Sequence, residues 1–150
     1  MVWLCSVVQS RVCQAAKHRP VPVIVNTFDP PNQPTPRRCI QLGAALRELI
    51  AAYPENLRVG VLASGGLSHF VVDAELDNAI IDAIRRKDTG FLASLDPRQL
   101  QAGSSEIRNW LIAVEAVRDL DLDWVSYVPG YRTPAMTGTG LCFAAWRPLD

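Results

Sequence analysis

The sequence predicts an α/β domain in which a mixed sheet is flanked by helices. Three observations carry that expectation. The chain has 150 residues, which suits one domain with a real core. Two short apolar runs, "VPVIVNTF" at 21–28 and "LRVGVLAS" at 57–64, read as buried strands. Amphipathic helical patterns alternate with them, and that alternation belongs to α/β proteins.

Taken in order, residues 1–19 have poor periodicity and suit a short helix at most. Strand 21–28 carries Pro22 near its start, where a missing N–H is tolerated. "DPPNQPTP" (29–36) is a proline-rich loop, and "NTFDPPNQP" (26–34) is too specific for a generic linker. Thr35 followed by Pro36 marks a helix start, with a hydroxyl cap and then a proline that forfeits no hydrogen bond. Ile40, Ala44, Leu46, Leu49 and Ile50 give that helix an apolar face, and it ends before Pro54.

The run at 57–64 is apolar on both faces, as in a central strand covered on both sides. Gly65 and Gly66 end it. Residues 73–88 form a helix with Asp73 as cap and Leu76, Ile80, Ile81 and Ile84 facing inward. Residues 89–103 read as a short helix and a loop, and 104–119 as a third long helix. "DWVSYVPG" (123–130) and "LCFAAW" (141–146) read as an antiparallel pair of strands. "YRTPAMTGTG" (131–140) is the glycine-rich loop between them.

Composition narrows the function classes. Lys plus Arg and Asp plus Glu number 15 each, so the formal net charge is zero. Nothing in that balance would neutralise a phosphate backbone, so a nucleic-acid partner is not expected. No apolar run approaches a membrane span, so no membrane partner is expected either. Cys5, Cys13, Cys39 and Cys142 form no C-x-x-C pair and match no zinc spacing. They read as small buried hydrophobes in a reducing compartment. The N-terminus lacks the basic start of a signal peptide, and a cytoplasmic location is expected.

Two residues stand out as candidates for chemistry. His69 follows the strand at 57–64 and a pair of glycines. Groups just beyond the carboxyl ends of strands line ligand crevices in α/β folds, and a histidine there suits proton transfer near neutral pH. The alternative is a turn histidine. Ser68 brings a competing idea, a serine nucleophile, but Phe70 stands where the nucleophile-elbow pattern has its last glycine. Glu106 lies at the start of the third long helix. It is either a residue that favours the positive end of the helix dipole or a carboxylate metal ligand, with Asn109 and Trp110 one turn on to hold or shield it. "TGTG" (137–140) lacks the Lys-Ser/Thr of a phosphate loop and leads into a strand, so it reads as a turn or a substrate-side loop. His18 stands beside Lys17 and Arg19 and reads as solvated.

Several phrases taken together resemble one family. "VPVIVNTFDPPNQPTPRRC", "LASGGLSHFVVDAELD", "GSSEIRNW" and "YRTPAMTGTGLCFAAW" are similar, in order, to the C-terminal half of class III extradiol ring-cleavage dioxygenases, the LigB-type catalytic subunits. The resemblance runs from about Val21 to Trp146. It divides the chain into a non-matching segment, 1–19, and a C-terminal part of the catalytic domain, 20–150. It implies Fe(II) held by two histidines and one carboxylate, with a catechol-type aromatic and O2 as substrates. His69, in "GGLSH", matches the family's acid–base histidine, and Glu106, in "SSEI", matches its carboxylate ligand. A homodimer or a small partner subunit is the assembly it implies.

The sequence departs from the pattern at one point. The family's two histidine ligands precede the matching stretch, and His18 stands in a context unlike either ligand motif. The opening "MVWLCSVVQSRVCQAAKH" is what a truncated or frame-shifted gene would give. The expectation is therefore a fragment with absent or very weak activity alone, whose unpaired strands favour self-association. The rival expectation is a non-enzymatic binding or interaction module on the same scaffold.

Overall fold

The computed structural model describes residues 21–148. Its helices are α1 (Pro36–Ala51), α2 (Ala74–Arg85), α3 (Thr89–Ser94) and α4 (Ile107–Ala116). Its strands are β1 (His69–Val71), β2 (Asp121–Tyr131) and β3 (Thr137–Arg147). Single 3-10 turns at Pro97–Gln99 and Ala102–Glu106 lead into α4.

The helix starts follow from short polar side chains. Thr35 accepts a hydrogen bond from the Arg38 amide and Pro36 is the first helical residue, as the sequence indicates. Asp73 accepts from the Leu76 amide at the start of α2. Leu76, Ile80, Ile81 and Ile84 of α2 are all buried. On α1 the buried stripe is Cys39 and Gly43, flanked by half-buried Ile40 and Leu46, while Leu49 and Ile50 are exposed. Leu49 and Ile50 were both expected inside. The face that meets α4 is set by the earlier turns, and by the last turn the helix has left the core.

The α/β class holds, but the sheet is smaller than expected. Its order is β1-β3-β2, and both pairings are antiparallel. The expected mixed sheet is thus corrected, because residues 21–28 and 57–64 form no strand among the described residues. Apolar content expresses a tendency to be buried, but a strand also needs a neighbouring edge to pair with. Leu57, Val59 and Leu62 are each about half exposed. The strand at 141–146 begins earlier than its apolar run suggests, at Thr137, so "TGTG" lies within β3 rather than in a loop.

The core lies between the sheet's inner face and the helices. Tyr127, Cys142, Ala144 and Trp146 meet Ile80, Ile84, Leu111 and their neighbours there. The opposite face carries Trp124, Val128, Leu141 and Phe143, all substantially exposed. An open groove of about 870 Å³ separates residues 59–65 from α4 and from β3 at Phe143–Trp146. Among the described residues no helix is long and apolar enough to cross a membrane. Cys39 and Cys142 are buried and free, and burial pushes both thiols up to about 11. Cys5, Cys13 and His18 lie outside the described residues.

Candidate active site at the start of the first strand

Ser68 is fixed on every polar atom. Its amide donates to Asp77 Oδ1 at 2.9 Å and its hydroxyl donates to Asp77 Oδ2 at 2.7 Å. The hydroxyl also accepts from the Asp73 amide, and its carbonyl accepts from the Gly140 amide. Ser68 is fully buried. A serine so enclosed cannot attack a substrate, which removes the nucleophile idea on geometric grounds.

His69 does not sit in a turn beyond a strand. It is the first residue of β1 and faces Thr139 of β3. Its amide donates to Ser104 Oγ at 3.1 Å. Its ring Nδ1 lies 2.9 Å from the Leu67 carbonyl. A carbonyl can only accept, so Nδ1 carries the proton of the neutral ring and Nε2 keeps its lone pair. Gly103 packs against the His69 side chain, where a Cβ would collide with His69 Cβ. Phe70 follows with φ of 69°, in the left-handed region that costs a bulky residue energy.

Glu106 comes to the same place from the other side. It is the last residue of the 3-10 turn and the cap of α4, and it makes no capping hydrogen bond. The helix therefore starts at Ile107 rather than at 104, because the chain makes a tighter turn first. The carboxylate is thus not spent on the helix terminus. Its Oε2 lies 3.6 Å from His69 Nε2, and about half of the side chain is exposed. Gly65 lies beside it, with φ of 125° and no Cβ. A side chain there would meet Glu106 Oε2 at 2.5 Å.

Asn109 and Trp110 act on the neighbouring backbone rather than on the carboxylate. Asn109 donates to the Ser64 carbonyl and Trp110 Nε1 to the Gly65 carbonyl. They hold the chain that walls one side of Glu106. The segment 26–34 is likewise fastened from inside. Arg108 is 1% exposed and donates to the carbonyls of Thr27, Pro34 and Leu100.

The fold brings the sequence candidates His69 and Glu106 together, and Asp77, Tyr127 and Arg108 were not among the candidates. Tyr127 donates its hydroxyl to Asp77 Oδ2 at 2.7 Å. One signal was available. Asp77 precedes Ile80 and Ile81 by three and four residues, which puts a charge on the buried face of α2. Arg108 stands in the same relation to Leu111 and Ile112.

The described residues alone do not fit a ferrous site. Such a site needs several protein ligands fixed in geometry. Among the described residues no group of three or more His, Cys, Asp and Glu side chains converges. Glu106 offers one carboxylate, with His69 beside it.

A family profile described as the catalytic LigB subunit of aromatic ring-opening dioxygenase matches residues 9–141. Its match begins within the first 19 residues. Gallate dioxygenase from Pseudomonas putida is 58% identical over 38 residues. That match covers 25% of this chain and 11% of the relative's length.

Proposed function

Because this chain belongs to the catalytic LigB subunit family of aromatic ring-opening dioxygenases, we propose that it carries the proton-transfer part of an extradiol ring-cleavage site. His69 is the base and Glu106 is one ligand for Fe(II). The substrate is an aromatic with adjacent hydroxyls, and O2 is the oxidant. Gallate is the first candidate, because the relative is a gallate dioxygenase. The single observation behind this reading is the approach of His69 Nε2 to Glu106 Oε2 at 3.6 Å.

The chemistry assigned to this chain is limited to what its own residues can do. The Leu67 carbonyl holds the Nδ1 proton, so Nε2 can accept a proton from a phenolic hydroxyl placed beside it. The Glu106 carboxylate next to it stabilises the resulting imidazolium. Bound iron would acidify the catechol and bring it together with O2. The shortage of ligands among the described residues favours a second reading, a binding module without turnover.

The test is anaerobic addition of Fe(II) and gallate to the purified chain, followed by air and absorbance of the ring-opened product. The isolated chain is expected to give little or none. Fast product formation would show that the ligand set is complete and overturn the incompleteness. In any preparation that turns over, His69→Ala is expected to slow the reaction by roughly a hundred- to ten-thousand-fold. A chain in which neither Fe(II) nor gallate perturbs the His69 ring resonances would support the binding-module reading.

A further inference from the structure

Asp77 is a carboxylate with no exposed surface, and its three donors are all neutral: the Ser68 amide, the Ser68 hydroxyl and the Tyr127 hydroxyl. A buried carboxylate held by neutral groups is costly to desolvate, and an apolar side chain would fill the same space at less cost. The surroundings are nevertheless shaped for it. Gly140 lies against Oδ2, where a Cβ would collide with the carboxylate. Burial, then the hydrogen bond and charge of Asp77, push the Tyr127 phenol up, so it remains a donor.

This carboxylate leads directly to the imidazole. Asp77 holds Ser68 by its amide and its hydroxyl. Leu67 and His69 are the residues on either side. The Leu67 amide donates to Gly140, and the Leu67 carbonyl meets His69 Nδ1. The carbonyl that selects the ring tautomer belongs to the same planar peptide unit as the Ser68 N–H that Asp77 holds. We propose that Asp77 is a positioning residue: through Ser68 it fixes the Leu67 carbonyl, and so keeps the proton on His69 Nδ1 and Nε2 turned toward Glu106. This rests on the reading of His69 as the base, but its test does not depend on turnover.

The test is imidazole nitrogen NMR of the full chain at about pH 8.5, above the ordinary imidazole range. His18→Gln in every sample leaves His69 as the single histidine. The parent is expected to show the Nδ1–H tautomer as the dominant form. Asp77→Asn, folded by near-UV circular dichroism, is expected to lose that dominance. Ser68→Ala, which removes the hydroxyl bond to Asp77 Oδ2 and leaves the amide bond to Oδ1, is expected to lose part of that dominance and decides the matter where Asp77→Asn does not fold. Retention of the parent tautomer and ring shifts in a folded variant would overturn the proposal. In a preparation that turns over, a tautomer change combined with unimpaired ring cleavage by His69→Ala would instead keep the positioning role and reject the assignment of His69 as base.

Discussion

Ser68 and His69 are neighbours in sequence and opposites in chemistry. Ser68 is sealed, with amide, carbonyl and hydroxyl all hydrogen-bonded. His69 is anchored on its amide and on Nδ1, yet among the described residues its Nε2 meets the Glu106 carboxylate alone, at a distance beyond a hydrogen bond. One residue is spent on holding the fold, and the next is held so that one atom stays available. Substitutions around Ser68 should therefore act on stability, and substitutions of His69 and Glu106 on ligand chemistry.

The largest effect is expected at Asp77. Asp77→Ala leaves two hydroxyls and an amide without their buried acceptor, which costs about 3 kcal/mol or more. Urea unfolding followed by circular dichroism measures it. A loss below about 1 kcal/mol would show that water replaces the carboxylate, and the contrast with His69 would fail. Gly140→Ala comes next, because its Cβ meets the carboxylate from the strand side. A cost of about 1–3 kcal/mol is expected in the same assay.

The buried thiols sharpen the comparison through pH. Cys39 and Cys142 are raised from 9.0 to about 11 by burial. Below pH 9 both folded and unfolded chains keep these protons, and no stability changes with pH on their account. Between 9 and 11 the unfolded chain releases protons that the folded chain retains, so stability falls as pH rises. Thermal unfolding across that window is expected to show the decline, and Cys39→Ala to flatten it. A flat profile in the parent would mean the thiols are not sealed. The smallest effect on stability is expected at the site itself. His69→Ala and Glu106→Gln, on side chains 22% and 45% exposed, should each change unfolding free energy by about 0.5 kcal/mol or less.

The same division explains what could be read from the sequence. Helix starts at Thr35 and Asp73 were legible because a cap is a local event within four residues. The apolar face of α2 was legible because its period is local too. The runs at 21–28 and 57–64 misled, because strand formation depends on an edge supplied from elsewhere in the molecule. His69 and Glu106 were legible as residue types in recognisable phrases, but their approach depends on Ser104, Gly103 and Gly65 meeting across long stretches of chain. Asp77 was visible only as a charge out of place on an apolar helix face. That its partners are Ser68 and Tyr127, 9 and 50 residues away, is a property of the folded chain.

The roles given to His69 and Glu106 meet most directly in an anaerobic Fe(II) titration of the parent, Glu106→Gln and His69→Ala, followed by calorimetry. Where the parent takes up Fe(II) measurably, that binding is expected to be retained in His69→Ala and lost in Glu106→Gln. Binding lost in His69→Ala and kept in Glu106→Gln would reverse the two roles and contradict the account.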